Sequence, residues 1–260
     1  REPGRRSNEA EYAVELARSF WIGEKEVTNA SFRKFAPGHS SGSFQGNSLD
    51  GADQPAANLS WEDAARYANW LSRQEGLPPA YRDEGGKVTP VLPLTTGYRL
   101  PTEAEWEFVA RYDGGRIAAA KPRRYPWGDA LPPPASSGNY ADDGPQRLPL
   151  AIPGYVDGFP VAAPVGRFPP GGAGLYDLGG NVAEWCHDYY DVPGTGPGAG
   201  PGTVRRDPAG PPTGRFHVIK GASWRSGGVS ELRLSYREYA EKARNDVGFR
   251  IVRYVEDAPK

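Results

Sequence analysis

The sequence predicts an α+β domain, loop-rich, with two main helices and a few short strands. Three observations lead to this fold class. Thirty-four glycines and 27 prolines, nearly a quarter of the 260 residues, occur beside seven Trp and fourteen Tyr. A disordered chain would share the glycine and proline but lack the aromatics, so the composition describes irregular loops pinned by large flat side chains. Two segments carry helix-start signals ahead of an apolar stripe. Runs rich in β-branched and aromatic residues lie toward both ends. With no internal repeat and no linker between two cores, residues 1–260 read as a single domain.

Taken in order, residues 1–12 are polar and expected to be flexible. Residues 19–27 read as a strand, and Thr28 or Asn29 can cap a short helix carrying Phe32 and Phe35 on one face. A polar Gly- and Ser-rich loop follows over 38–53. The clearest helix starts at Trp61, where the Ser60 hydroxyl can accept from the Asp63 amide. Trp61, Ala64, Ala65, Ala68 and Leu71 form its apolar stripe, and Gly76 stops it. The second helix begins with the capping-box pair Thr102 and Glu105, buries Trp106, Val109 and Ala110, and ends at Gly114-Gly115. Residues 121–170 are mostly turns. Residues 193–212 are dense enough in Gly and Pro to form an exposed loop, and 216–222 and 247–255 read as the last strands.

Charge and cysteine content exclude several functions. Lys plus Arg is 31 against 32 Asp plus Glu, a formal net charge of −1, so no net field draws nucleic acid or an anionic membrane. A single cysteine rules out an internal disulfide and any Cys-pair metal site. Histidines 39, 187 and 217 lack metalloprotease spacing, and no run of this fragment is long enough to span a bilayer. The absence of methionine, even at position 1, reads as a piece of a longer precursor.

Phosphate-binding, dinucleotide and nucleophile-elbow motifs are absent. Cys186 beside His187 could form a thiolate–imidazole pair, but neighbours on an extended segment point to opposite faces, and a lone Cys after a Trp fits inert core. His187, Asp188 and Asp191 could ligate a metal or simply be solvated. A hard cation is better served by the stretch from Asp177 to Glu184, two carboxylates separated by Gly179-Gly180 and Asn181. Glycines let intervening carbonyls turn inward, and calcium takes six to eight oxygens. An ordinary Gly turn flanked by two surface acids accounts for the same residues. Asp142, Asp143 and Asp157 carry the same ambiguity.

Motifs spread through the chain then add up. Glu26-Val-Thr-Asn-Ala30, Asn58-Leu-Ser-Trp-Glu-Asp-Ala64 and Tyr98-Arg-Leu-Pro-Thr-Glu-Ala-Glu-Trp-Glu107 come first. Tyr125-Pro-Trp-Gly-Asp129, Gly174-Leu-Tyr-Asp-Leu-Gly-Gly-Asn-Val-Ala-Glu-Trp185, Lys220-Gly-Ala-Ser-Trp224 and Gly248-Phe-Arg250 follow. In this order the chain resembles the formylglycine-generating enzyme (sulfatase-modifying factor) family along nearly its whole length. The resemblance implies a variant of the C-type lectin fold with small, twisted antiparallel sheets. It also implies calcium as cofactor, at two sites. One would use the side chains of Asp177 and Glu184 with the carbonyls of Gly180 and Val182; the other, Asn139 and Asp157 with the carbonyls of Tyr140 and Phe159. Asp177 stands where founding members have Asn.

Aerobic members of that family bind copper(I) through two cysteines. Here the matching positions are Ser226 and Glu231, and neither a hydroxyl nor a carboxylate replaces a soft thiolate. Copper-dependent formylglycine generation is therefore not expected. The family's iron-dependent sulfoxide synthases take three histidines largely from a separate helical domain, which this chain lacks. Other relatives mature the pyoverdine chromophore without the cysteine pair, or act as ligand-displaying or regulatory scaffolds, including periplasmic proteins that tune type VI secretion signalling.

Two functions follow as expectations. The first is a calcium-stabilised, non-catalytic module for binding or regulation in the bacterial cell envelope, such as a type VI secretion component. It would meet a peptide, protein or glycan on the face formed by 224–231, the segment to Arg237 and the 193–212 loop. Exposed Trp224 and Arg225 would suit that role, although Trp224 could equally be core. The alternative is a cofactor-assisted oxidoreductase of the pyoverdine-maturation type, its pocket built around Glu231 with Ser226, Arg225, Arg237 or Tyr236. An Arg–Glu surface pair is the plainer account of those side chains. The location expected is periplasmic or secreted, where calcium is abundant.

Overall fold

Side chains and backbone exchange hydrogen bonds at the head of each main helix. Ser60 Oγ accepts from the Asp63 amide while the Asp63 carboxylate accepts from the Ser60 amide, and Thr102 and Glu105 repeat the exchange. A computed structural model describes residues 2–112, 122–145, 147–171, 173–192 and 203–255. Its elements in chain order are β1 (Val14–Glu15), β2 (Phe20–Ile22), α1 (Asn29–Arg33), β3 (Ser43–Phe44), β4 (Asn47–Ser48) and α2 (Trp61–Gln74). Then come β5 (Tyr81–Glu84), β6 (Lys87–Pro90), α3 (Glu103–Arg111), β7 (Ala183–Tyr189) and β8 (Arg205–Arg206). The last are β9 (His217–Lys220), β10 (Arg237–Ala240), β11 (Val247–Gly248) and β12 (Val252–Tyr254).

The centre is a four-stranded sheet in the order β10-β9-β7-β11, in which all seven residues of β7 are buried. Alternate residues serve opposite faces. Trp185 and Ile219 pack with Trp61 of α2, whereas Cys186 and Val218 pack with Trp106 of α3, so a main helix covers each face. Both indoles also donate into β7, Trp61 Nε1 to the Cys186 carbonyl and Trp106 Nε1 to Glu184, each at 2.8 Å. The other sheets have two strands each. Most pairings are antiparallel as expected, but β11 runs parallel to β7, and β1 to β8.

Several sequence expectations need correction. The polar opening segment makes tertiary contacts: Glu9 pairs with Arg233 and is 7% exposed, while residues 3–7 are exposed. The strand expected over 19–27 shrinks to β2, and the helix after Thr28 stops before Phe35. Leu71 is only half-buried; Tyr67 takes its place on the buried face of α2. Among the described residues, 122–170 contain no helix or strand, in keeping with the turn-rich reading. The Gly114-Gly115 stop and residues 193–202 of the expected exposed loop lie outside the described residues. The following stretch contributes β8. No helix of the described residues is long and apolar enough to cross a membrane.

Candidate functional site

The Asp177–Glu184 stretch curls as its glycines allow. Asp177, Gly179 and Asn181 all adopt positive φ, and the Gly180 amide donates back to the Asp177 carbonyl. Glu184 is buried and Asp177 half-buried, so neither is a freely solvated surface acid. Asp177 Oδ2 accepts from the Gly166 amide at 2.6 Å, and burial raises its pKa. Glu184 is 1% exposed and already saturated: Arg250 reaches both its oxygens at 2.6–2.9 Å and Trp106 supplies a further donor. With Glu184 committed in this way, the Asp177–Glu184 set as arranged does not fit a cation.

Beside it lies a carboxylate that sequence reasoning used only as part of a family motif. Glu26, 2% exposed, accepts from Asn181 Nδ2 at 2.7 Å and from the Val182 amide at 3.1 Å. Burial, and then the charges of Asp177 and Glu184, push it well above the usual carboxylate range. Asn181 also ties this centre to the second one, because its Oδ1 accepts from Asn139 Nδ2 and its amide donates to the Asn139 carbonyl.

The second set converges. Asp157 accepts from the Tyr140 and Phe159 amides, both at 2.9 Å, which gathers Asn139, Tyr140, Asp157 and Phe159 into one loop cluster. Burial raises Asp157 to about 6. Asn139 is fully buried; its Nδ2 donates to the Val161 carbonyl, yet its Oδ1 has no hydrogen-bond donor. A buried acceptor without a donor, in the same loop cluster as the half-buried Asp157, fits a hard cation. Among the described residues no group of three or more His, Cys, Asp or Glu is arranged to hold a metal. A cation here would therefore rely on amide and carbonyl oxygens as well as Asp157. Asp142 and Asp143 hold loop backbone, accepting from the Asp157 and Gly154 amides respectively.

At the other candidate face, Ser226 Oγ accepts from the Ser223 amide, and Ser223 Oγ donates to Asp246, which Arg244 grips with two nitrogens. Glu231 folds back to accept from the Gly228 amide at 3.2 Å. Arg225 is exposed and lies over the rings of Phe44 and Trp224. Trp224 is 2% exposed, which corrects the exposed-Trp expectation: Phe44 of β3 and Leu49 just after β4 cover it. Arg237 is drawn away from Glu231 into a buried bidentate pair with Glu103. Tyr236 is buried too, its hydroxyl accepting from Arg6. Surface depressions of about 400 Å³, lined in part by Asn47, Gln54 and Phe159, and about 330 Å³, lined in part by Trp21, Tyr98 and Arg253, both lie away from Glu231.

Cys186 is fully buried, and burial pushes its thiol well above the ordinary range, as inert core requires. His187 and Asp188 are buried rather than solvated, with the Tyr81 hydroxyl 3.0 Å from His187 Nδ1 and the Glu103 amide donating to Asp188.

Comparison with known proteins sets these sites in context. The sulfatase-modifying factor enzyme 1-like domain matches residues 2–255. The formylglycine-generating enzyme of Thermomonospora curvata is 37% identical over 175 residues, which cover 67% of this chain and 46% of that protein. The chain thus spans less than half the length of that relative. Chaperone protein LppX of Paenibacillus barcinonensis is 27% identical over 252 residues, 90% of this chain and 80% of LppX. Of solved structures, Treponema denticola variable protein 1 superposes with a TM-score of 0.69 at 24% identity, covering 93% of both chains. CarF gives 0.66 at 27% identity, covering 91% of this chain and 87% of CarF.

Proposed function

The chain belongs to the sulfatase-modifying factor enzyme 1-like family and has the formylglycine-generating-enzyme-type variant of the C-type lectin fold, and from that premise we propose that it is a calcium-stabilised binding or regulatory module, not a copper oxidase. The reading rests chiefly on the donor set at the two positions that match the family's thiolates. Ser226 is tied to Ser223, and Glu231 to the Gly228 amide. The one sulfur, Cys186, is sealed in the core beside Trp106 and Val218. Copper(I) requires soft donors, and this face offers hard oxygens. The name of LppX, a chaperone similar over most of this chain, agrees with a role in holding a partner.

Asn139 and Asp157 would hold the calcium, with loop carbonyls. Bound there, the ion would neutralise the half-buried Asp157 carboxylate and cross-link the loops on either side of it. Such a site suits the cell envelope, where calcium is plentiful, and a regulatory part in type VI secretion is one setting for it. The partner in this reading is a peptide, protein or glycan; a net charge of −1 supplies no attraction to nucleic acid. Competition with a chromophoric copper(I) chelator under anaerobic conditions tests the proposal. The purified chain should leave the chelator loaded, and one tightly held equivalent of copper(I) would overturn the reading.

A further inference from the structure

Residues 2–9 contain no large apolar side chain, and 3–7 are exposed, yet this strap bonds to the 230–237 segment. Polar contacts hold them there. Arg233 is fully buried, and the strap supplies nearly all its partners: Glu9 through both oxygens at 2.6 and 2.7 Å, Glu2 at 3.3 Å, and the Gly4 carbonyl at 2.8 Å. Ser230 Oγ donates to that same carbonyl. Ser235 Oγ donates to Glu2, and Arg111 at the end of α3 reaches Glu2 from the other side. Arg237 donates to the Asn8 carbonyl, and Arg6 lies over the Tyr236 ring.

We propose that the face along 230–237, centred on Arg233, is a binding site for acidic peptide segments, occupied in cis by residues 2–9. This rests on the binding-module reading and names the class of partner. A buried guanidinium demands an anion, because an unpaired buried charge is strongly unfavourable. Arg233 therefore selects for carboxylates placed as Glu2 and Glu9 are. A segment that buries no large apolar side chain lacks the non-directional burial term that anchors core elements, so its charge-assisted bonds can be exchanged for equivalent ones. A partner with correctly spaced acids would displace the strap and expose the face next to Glu231.

The probe is a fluorescein-labelled peptide with the sequence of residues 2–12, titrated by anisotropy against the full chain and its Glu2→Gln, Glu9→Gln double variant. The account expects saturable binding at least tenfold tighter to the variant than to the native chain, whose own strap competes. A peptide with both of those glutamates replaced by glutamine should bind at least tenfold more weakly. Equal affinity for acidic and neutral peptides, or no binding to either protein at millimolar peptide, overturns the proposal. Should the variant fail to fold, hydrogen exchange of the native chain decides the matter: millimolar acidic peptide should speed exchange in residues 2–9, and exchange as slow as in α2 with and without peptide overturns the proposal. None of these outcomes depends on copper, so the proposal and the non-oxidase reading can fail separately.

Discussion

Arg250 grips both carboxylate oxygens of Glu184 at 2.6–2.9 Å, with both side chains out of solvent. The pair ties the start of β7 to the segment between β11 and β12, and Trp106 adds the underside of α3. Arg250→Met would leave Glu184 charged and unpaired in the core, at a cost of about 3–5 kcal/mol. Denaturant unfolding should show this as a large drop in midpoint. Adding Glu184→Leu to Arg250→Met should recover part of the loss, because the stranded charge is gone; additive losses would show that the two residues act separately.

Calcium should raise the melting temperature and a chelator lower it. Binding only to the folded state contributes about 2.7 kcal/mol at a hundred times the dissociation constant, which corresponds to a shift of roughly 5–11 °C for a domain of this size. Asn139→Ala with Asp157→Ala should make melting indifferent to calcium. Asp177→Ala alone should leave the calcium response in place, since the Asp177–Glu184 set is closed by Arg250. Curves that coincide in calcium and in chelator would count against the site.

Buried histidines and a buried aspartate set opposing pH dependences. His217 stacks on Trp61 with ring centroids 3.6 Å apart, and burial lowers its pKa to about 3. Unfolded imidazole takes its proton near 6.5, so the His217 contribution is full above that pH and is lost as pH falls toward 3. His187, also buried and lowered, acts with the same sign. Asp188 is raised to about 8 by burial and then by the charge of Glu103, so it lowers stability as pH rises from about 4 to 8. His217→Gln should flatten the acid side of a stability–pH profile. Asp188→Asn should raise the unfolding midpoint at pH 8 and above and change little below pH 4. Profiles parallel to the native one would contradict both assignments.

Cys186 should resist thiol reagents in the folded chain and react only in denaturant. Its burial and raised pKa leave neither access nor thiolate. Stoichiometric labelling of the native protein within minutes would show that the core around Trp106 opens readily.

How much of this was legible in the sequence follows from the range of the interactions. The starts of α2 and α3 were readable because Ser60 with Asp63, and Thr102 with Glu105, act over three residues. The strand β7 was not, since a strand buried on both faces shows no alternation. The hairpin of β5 and β6 did leave a signal, Gly85-Gly86, whose two positive φ values suit a tight turn. The family resemblance found the Asn139–Asp157 cluster, but the closure of Glu184 by Arg250 and the burial of Glu26 required contacts 66 and 155 residues apart. The docking of Glu9 on Arg233 spans 224 residues, so a polar opening segment gave no local hint of it.

The most direct test of the central claim is aerobic incubation of the chain with copper(I) and a cysteine-containing sulfatase peptide, followed by mass spectrometry of the peptide. The account predicts that the cysteine survives unchanged, while a known formylglycine-generating enzyme converts it in parallel. Formylglycine formed by this chain at a rate proportional to its concentration would contradict the account.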